Sequence, residues 1–455
     1  YKRQDILNYA IILAAGKGSR MKGTLPKCAM TILGKPMISY LTESIKKTSL
    51  DEIICVVGYK KEIIASILKD TVSYRIQEEQ LGSGHAARCC RDIDKEGYTV
   101  ILNGDTPFVD NILLQQLINT HLENKNDLTI ATFINPSPQG YGRIIRDKTN
   151  KIQAIAEEAE LTEEQKQIQE VNGGVLCVRT KLLFEALDRI TNNNQRKEYY
   201  LTDIVKELAD FKISEFRTED SFKLMGINTL SQLAEAEKKL KESILDKHLQ
   251  NGVKIENKDN VYIGSDVIIE ENTVIRNSTI LGNTVIHQGS EIIDSEIRNS
   301  IVLNDSTIWH SVISDSVVGK NCNVGPFAHI RGNSFIAGNN RVGNYVEIKN
   351  SRVGLSSKLS HLAYMGDCLC GENVNFGCGS ITVNYDGKTK HQTSIGDNVF
   401  VGCNSNLIAP ISIESNSFIA AGSTITENME QGDFAIARSL QVTKKGYASK
   451  YDSKE

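Results

Sequence analysis

Residues 317–349 read VVGKNCNVGPFAHIRGNSFIAGNNRVGNYVEIK and carry an aliphatic side chain at every sixth position, from Val318 to Ile348. Two further runs have the same period, from Ile263 to Leu281 and from Ile395 to Ile425. A six-residue period of aliphatic side chains does not match the turns of an α-helix. A parallel β-helix produces it, because each turn stacks three short strands around inward-pointing aliphatic side chains. The period therefore predicts a parallel β-helix in the second half of the chain.

The first half has a different pattern, in which short β-type runs alternate with helical stretches. The predicted strands are 9–14, 53–57, 72–77 and 99–102, and the predicted helices are 37–47 and 61–69. Such alternation predicts a βαβ domain with a parallel sheet, whose ligands bind at the carboxyl ends of the strands. We therefore expect a site in the loops after Leu13 and Leu102.

A helix is predicted between the two halves. Leucines and isoleucines recur at helical spacing from Leu230 to Leu249, and Asn251-Gly252 is a plausible stop signal. This segment is either a connecting helix or the last helix of the first domain. Further along, residues 382–393 interrupt the hexads and are expected to project as a loop, which is either functional or a tolerated insertion.

Composition and charge exclude several classes of protein. The chain has 455 residues, 40% hydrophobic and 24% charged, and a formal net charge of -4. These values are typical of a soluble globular protein and give no general attraction to nucleic acid. No apolar run approaches the roughly 18 residues of a membrane span, and the start lacks the apolar core of a signal peptide. Ten cysteines without Cys-x-x-Cys spacing indicate reduced thiols, so we expect a cytoplasmic protein.

A glycine-rich loop follows the first predicted strand, in the run LAAGKGSR at residues 13–20. Its glycines permit a tight turn with backbone N–H groups directed at an anion, while Lys17, Arg20 and Lys27 add positive charge. The spacing of a Walker loop is absent. Asp105 follows a later strand, where an aspartate is either a turn residue or, beside bound phosphates, a ligand of Mg²⁺.

His361 is the candidate for a second chemistry. A single histidine is commonly a surface residue, but Glu347, Tyr364 and Asn384 come from segments that successive coils of a β-helix would stack near it. An imidazole titrates close to neutral pH and can accept a proton from an amine that attacks a thioester. We expect a carboxylate such as Glu347 to orient the ring.

Several motifs together resemble one family. They are LAAGKGSRM at 13–21, LPK at 25–27, QLGSGH at 80–85, GYGRI at 140–144, HLAY at 361–364 and NYDG at 384–387. With the hexapeptide repeats, the chain from about residue 9 to 440 resembles the bacterial bifunctional GlmU family. The resemblance implies an α/β fold class: a Rossmann-like nucleotidyltransferase domain (1–229), a connecting helix (230–250) and a left-handed parallel β-helix acetyltransferase domain with a C-terminal arm (251–455).

For the first domain, the resemblance implies uridylyl transfer from UTP to N-acetylglucosamine 1-phosphate. Arg20 and Lys27 are the implied catalytic cations, and Asp105 and Asn228 the implied ligands of Mg²⁺. The implied UDP-N-acetylglucosamine-binding residues are Leu13, Ala14, Ala15, Gly16, Lys27, Gln77, Gly82, Ser83, Asn103, Gly104, Asp105, Gly142, Glu157, Asn172 and Asn228.

For the second domain, the resemblance implies acetyl transfer from acetyl-CoA to glucosamine 1-phosphate, with His361 as the proton acceptor. The implied sugar-phosphate-binding residues are Arg331, Lys349, Tyr364 and Asn375, and the implied acetyl-CoA-binding residues are Cys378, Asn384, Tyr385, Cys403, Ala421 and Arg438. The family further implies a homotrimer and a role in peptidoglycan synthesis.

The chain departs from the family pattern at four of these positions or beside them. Asn103 stands where an aromatic residue is usual, Gly332 where proline is common, and Cys378 and Cys403 where small residues are usual. A nucleotidylyltransferase with a purely regulatory or structural β-helix is the nearest alternative, and an inactive assembly subunit is a more distant one, since fold alone does not establish activity.

Overall fold

The computed structural model describes residues 6–18, 21 and 24–451. The chain forms two compact units, Tyr1–Lys238 and Lys239–Glu455, and the division falls within one long helix. None of the helices in the described ranges combines the length and hydropathy that a membrane crossing requires.

A mixed β-sheet forms the centre of the first unit. Its strands in chain order are β1 (Tyr9–Ala14), β4 (Glu52–Val57), β5 (Ser73–Ile76), β6 (Tyr98–Asn103), β7 (Leu128–Ile134), β8 (Arg143–Arg146), β9 (Ile152–Ala156), β10 (Glu170–Arg179) and β11 (Ile213–Arg217), with β2 (Thr31–Ile32) and β3 (Lys35–Pro36) as a separate hairpin. The main order is β11-β7-β10-β6-β1-β4-β5. The predicted parallel sheet is confirmed for β1, β4, β5 and β6, whereas β10 runs antiparallel to both β6 and β7.

Helices cover both faces of this sheet. They are α1 (Met37–Ile45), α2 (Lys61–Leu68), α3 (Ser83–Arg88), α4 (Asn111–Glu123), α5 (Thr180–Arg189) and α6 (Ile204–Glu207). Alternate residues of β1 enter different cores: Ala10 and Ile12 pack with α1 and α4, while Tyr9 and Ile11 pack with α3 and α5. Burial on both faces explains why β1 is apolar throughout, as a strand between two helical layers must be.

Helix α7 (Leu230–Gln250) follows and ends close to the predicted stop. The backbone of Gly252 has φ +82°, a conformation that glycine adopts without the strain a side chain would add. The sequence signal for this helix and its end is therefore confirmed.

The second unit is a parallel β-helix of the hexapeptide-repeat type, built from three stacks of short strands. Stack 1 contains Lys254–Glu256, Val274–Arg276, Glu291–Ile293, Thr307–Trp309, Asn323–Val324, Arg341–Asn344, Lys358–His361, Asn375–Phe376, Phe400–Val401, Phe418–Ile419 and Phe434–Ala435. Stack 2 contains Tyr262–Ile263, Thr279–Leu281, Glu296–Arg298, Val312–Ser314, His329–Arg331, Glu347–Lys349, Tyr364–Gly366, Ile381–Val383, Asn406–Ile408 and Thr424–Ile425. Stack 3 contains Ile268–Ile269, Val285–Ile286, Ile301–Val302, Val317–Lys320, Phe335–Gly338, Arg352–Val353, Cys368–Cys370, Thr393–Ile395 and Ile411–Ile413.

Nearly every strand of the β-helix contributes an inward apolar side chain, usually an aliphatic one, to one continuous core; the strand Ile381–Val383 buries Thr382 instead. The hexads mark these residues correctly over 318–348, all of which are buried. Leu281 is an exception, because Ile280 pairs with Ile263 and takes the inward position. From there to Val318 several steps are five residues long, so the six-residue period is obscured although the coil continues.

The predicted loop is present between Val383 and Thr393. An antiparallel bridge joins Tyr385 to Lys390, and residues 385–390 are exposed. The side chain of Asp386 accepts hydrogen bonds from the backbone N–H groups of Lys388 and Thr389, which close the tip of the loop.

Candidate functional sites

The first candidate site lies where the loops after β1 and β6 meet. Leu13 pairs with Asn103, and the N–H of Gly104 donates to the carbonyl of Leu13 at 3.0 Å. Both loops therefore leave the sheet at the same edge, as expected for adjacent parallel strands. They border a cavity of about 580 Å³, a size suited to a nucleotide.

The predicted nucleotide-binding residues line this cavity together. They are Leu13, Ala14, Ala15, Gly16, Lys27, Gln77, Gly82, Ser83, Asn103, Gly104, Asp105, Glu157 and Asn228. Gln77 is buried, and its side-chain N–H₂ donates to the carbonyl of Gly82 at 3.0 Å. The hydroxyl of Ser83 accepts from the N–H of Leu201. Arg20 lies outside the residues that the structure describes.

Three polar groups meet at the floor of the cavity. The Lys27 ammonium contacts the carboxylate of Asp105 and donates to the Asn228 amide oxygen at 2.9 Å. Their positions in sequence are far apart, since Asn228 lies just before α7 and Asp105 follows β6. Two oxygens that already bracket one cation form a fitting pair for Mg²⁺, which prefers hard oxygen ligands. No group of three or more His, Cys, Asp or Glu side chains with metal-site geometry occurs among the described residues, so substrate oxygens and water would complete the shell.

A second, smaller cavity adjoins the first and shares Ser83, Asn103, Asp105, Glu157 and Asn228 with it. Its lining also includes Gly142 and Asn172. The N–H of Asn172 donates to the carbonyl of Gly142 at 2.9 Å, which joins strand β10 to the loop before β8.

The wall of this second cavity is held by short contacts. Glu157 accepts from the hydroxyl of Thr202 at 2.7 Å. A Cβ on Gly142 would lie 2.9 Å from the Ile155 side chain, so a larger residue here would force Ile155 to shift. The predicted residues for the sugar therefore lie directly beside those for the nucleotide.

Sequence reasoning missed several residues that border the nucleotide cavity. Arg196 and Tyr200 line it together with the predicted cation Lys17, and both come from the segment before a short 3-10 turn at Leu201–Asp203. The N–H of Gly84 donates to the carbonyl of Tyr199, which holds that segment against α3. No motif marks Arg196, because it reaches the site only where the chain after α5 passes back to the nucleotide cavity.

The second candidate site is a column of side chains along the β-helix. Each member lies two residues after an inward residue of stack 1, and the members are Asn344, His361, Cys378, Cys403 and Ala421. Successive coils are in register, so neighbours in the column are about 4.8 Å apart. The backbone continues the column, since Asn404 donates to the carbonyl of Cys378 and Gly422 donates to that of Cys403.

Arg438 closes this column at its C-terminal end. Its guanidinium donates to the carbonyl of Ala421 at 2.8 Å. His361 and four of the predicted acetyl-CoA residues thus lie on one line, although 77 positions separate His361 from Arg438 in the sequence.

The prediction that Glu347 orients the ring of His361 is wrong. Glu347 is engaged by Arg331, whose Nε donates to Oε1 of Glu347 at 2.8 Å and whose Nη2 also contacts this oxygen. His361 Nδ1 instead lies 2.8 Å from Oδ1 of Asn344. Asn344 is directly paired with His361 in stack 1, whereas Glu347 lies in stack 2.

Two cations lie in register in stack 2, and a third reaches them from the projecting loop. Arg331 and Lys349 are in register in adjacent coils, and Lys390 from the projecting loop lies against Lys349. The neighbouring Lys390 ammonium, reinforced by Arg331, lowers the pKa of Lys349. Like charges so close together favour a bound anion. Sequence reasoning missed Lys390. The one sequence signal for it is that a lysine occurs in the loop that interrupts the hexads.

Among the predicted residues of the second site, Asn384 and Tyr364 are in contact, whereas Asn375 lies in a different column from His361. The Asn384 side-chain N–H₂ contacts the Tyr364 hydroxyl at 3.5 Å and donates to Asp367. Asn375 lies on the outward face of stack 1, in register with Lys358 and Phe400, and therefore in a different column from His361. Tyr385, in the projecting loop, is 57% exposed.

Comparisons with known proteins match both halves of the chain. The MobA-like NTP transferase domain family matches residues 10–202, and the bacterial transferase hexapeptide (six repeats) family matches residues 392–427. A solved structure of UDP-glucose pyrophosphorylase complexed with UDP-glucose aligns with 52% of this chain and 100% of that chain, at 18% identity and a TM-score of 0.43, too low to bear on fold or function.

Full-length relatives carry one name. The bifunctional protein GlmU of Acholeplasma laidlawii is 48% identical over 98% of this chain and 97% of its own length. The proteins of the same name from Clostridium novyi and from a Geobacillus species are 44% and 42% identical, over 97% and 99% of this chain and 98% and 99% of their own lengths. Since such similarity extends over nearly the whole chain, this protein belongs to the GlmU family of bifunctional enzymes.

Proposed function

We propose that the protein carries out two successive reactions that produce UDP-N-acetylglucosamine. The second unit acetylates glucosamine 1-phosphate with acetyl-CoA, and the first unit transfers the uridylyl group of UTP to the resulting N-acetylglucosamine 1-phosphate. The observation that carries the proposal is the column that aligns His361 with the predicted acetyl-CoA residues. A purely structural β-helix does not require an exposed histidine, a cation cluster and an inserted loop in neighbouring coils.

Uridylyl transfer requires positioning and charge neutralisation more than covalent chemistry. A sugar-phosphate oxygen attacks the α-phosphorus of UTP, the bond to the β-phosphate breaks, and pyrophosphate leaves. The backbone at Leu13–Gly16 and the walls at Gln77 and Gly82 hold the nucleoside, while Gly142, Glu157 and Asn172 hold the sugar. Lys27 would turn from Asp105 and Asn228 towards the phosphates, with Arg20 as a second cation.

Mg²⁺ is proposed to bind at Asp105 and Asn228. When bound, it would neutralise the phosphate charge that increases as pyrophosphate leaves. Asp105→Ala is expected to abolish Mg²⁺-dependent pyrophosphate release while acetyl transfer continues. Undiminished release by this variant would contradict the assignment, and Asp110→Ala, at the cap of α4 outside both cavities, is the matched control.

Acetyl transfer requires a base for the amine. The amine nitrogen of glucosamine 1-phosphate attacks the thioester carbonyl, the C–S bond breaks, and His361 takes the proton from nitrogen as the CoA thiolate leaves. Arg331, Lys349 and Lys390 are placed to hold the sugar phosphate, and Tyr364 and Asn375 to contact the sugar. Asn384, Tyr385, Cys378, Cys403, Ala421 and Arg438 are proposed to bind acetyl-CoA.

His361→Ala tests the second activity separately. It should lose release of free thiol from acetyl-CoA with glucosamine 1-phosphate, while uridylyl transfer to added N-acetylglucosamine 1-phosphate is unchanged. A protein with a regulatory β-helix would release no thiol even with His361 present, and an inactive assembly subunit would make neither product. His310→Ala, an exposed histidine three coils before His361, is the control.

We also propose a homotrimer that acts in the cytoplasm, where its substrates occur, in a step of peptidoglycan synthesis. His361, Tyr385 and Cys403 are exposed in the single chain, so one side of the acetyl-CoA column is open to solvent. A neighbouring subunit would close it. Light scattering coupled to gel filtration should give three times the mass of 50.4 kDa; a monomer with full acetyltransferase activity would contradict this proposal.

A further inference from the structure

The hydrogen bond between His361 and Asn344 is the strongest polar contact of the candidate base. His361 Nδ1 and Asn344 Oδ1 are 2.8 Å apart, a normal distance for a good hydrogen bond. The two residues are 17 positions apart in sequence but are paired in adjacent coils of stack 1. Strand pairing therefore fixes their distance, and the contact does not depend on a flexible loop.

The chemistry of this bond determines the tautomer of the imidazole. An amide oxygen only accepts hydrogen bonds, so Nδ1 must carry the proton and Nε2 must keep its lone pair. A neutral imidazole with a free Nε2 is the form that can accept a proton from an attacking amine. Asn344 achieves this without a charge of its own.

The other polar side chains of the neighbouring coils have other partners or lack an acceptor. The Glu347 carboxylate is held by Arg331 in stack 2, and Asn384 is bonded to Asp367 and Tyr364. Lys349 and Lys390 have only hydrogens to donate and cannot accept from Nδ1–H. Among the described residues, Asn344 is the side chain that contacts either ring nitrogen of His361.

We propose that Asn344 is a positioning residue for acetyl transfer, which holds His361 in the Nδ1–H tautomer with Nε2 directed to the amine of the substrate. The proposal rests on the proposed role of His361 as the base. Asn344 does not touch the reacting atoms, so its loss should lower kcat and leave the KM values for glucosamine 1-phosphate and acetyl-CoA nearly unchanged.

Two variants of the full-length protein separate this role from a structural one. Asn344→Leu has a similar volume and no acceptor, and it should lower kcat about 10- to 100-fold, as the loss of the orienting partner of a metal-bound histidine does. Asn344→Asp keeps an acceptor oxygen at the same place and should restore kcat to within about threefold of the wild type. Asn323→Leu, an exposed asparagine one coil earlier in stack 1, is the matched control and should leave both activities unchanged.

The outcomes are distinguishable. A low kcat for the Leu variant, restored in the Asp variant, with unchanged uridylyl transfer, supports the proposal. A Leu variant within twofold of the wild type overturns it, and so do equal losses in the Leu and Asp variants. If Asn344→Leu is not folded by circular dichroism, Asn344→Ala takes its place under the same criteria. Retained acetyl transfer in His361→Ala would refute the base itself, independently of Asn344.

Discussion

Truncation of Ile348 should destabilise the β-helix by a predictable amount. This residue is fully buried, and it stacks between Ile330 and Met365 of the adjacent coils. Ile348→Ala removes three carbon atoms, which are worth about 0.8 kcal/mol each in transfer free energy, or about 2.4 kcal/mol. The cavity left in a core that cannot fully collapse increases the loss to about 3–4 kcal/mol.

The single tryptophan provides the assay. Trp309 lies in stack 1 and is 45% exposed, so its fluorescence in urea reports unfolding of the second unit. With a slope of about 3 kcal/mol per molar, the midpoint of the variant should fall by about 1 M. Ile348→Val removes one carbon and should cost about 1 kcal/mol. Val312→Ala, at an outward and 41% exposed position of stack 2, should change stability by less than about 0.5 kcal/mol.

A loss below about 1 kcal/mol for Ile348→Ala would refute this reasoning, because it would mean that the inward position is hydrated or loosely packed. Equal losses for Ile348→Ala and Val312→Ala would refute it as well, since the calculation depends on which face of the strand is buried.

Three further predictions concern other parts of the chain. Burial, aided by Arg179, lowers the pKa of His121 to about 4. Between pH 7 and pH 5 the unfolded chain therefore binds a proton at this histidine that the folded protein does not bind, and the free energy of unfolding should fall by about 2 kcal/mol. In urea titrations, His121→Gln should show a smaller fall over the same pH range. A Cβ on Gly104 would lie 3.0 Å from the carbonyl of Leu13, so Gly104→Ala should cost about 1–3 kcal/mol and reduce pyrophosphate release but not acetyl transfer. Cys403 is the exposed cysteine among ten free thiols, so Ellman's reagent should modify it first. Acetyl-CoA should slow this reaction. Equal rates with and without acetyl-CoA would mean that acetyl-CoA binds elsewhere.

Local patterns of the sequence were sufficient for much of the fold. The six-residue period predicts the β-helix because most of the short strands bury an inward aliphatic residue. The all-apolar run at Tyr9–Ala14 predicts a strand covered on both faces, and Asn251-Gly252 predicts the end of α7. These signals succeed because each depends on residues close together in the chain.

The antiparallel direction of β10 was not predictable in the same way. Strand direction is determined by the path of the connection and by the partner strand, and neither is encoded in the apolar pattern of β10 itself. The five-residue steps between Ile280 and Val318 were not predicted either, because a shorter turn shifts the inward position without changing the composition of the segment.

The candidate sites divide along the same line. The glycine-rich loop, Asp105 and His361 are visible in the sequence because residue type and neighbours indicate their chemistry. The family resemblance already implied that Asp105 and Asn228 act together. Only the tertiary structure places Lys27 between them, pairs Asn344 rather than Glu347 with His361, and brings Lys390 to Lys349. The physical reason is that strand register and loop return determine which side chains meet, and both arise from packing of the whole coil or sheet, whereas the sequence by itself determines which residues are able to bind or to accept a proton.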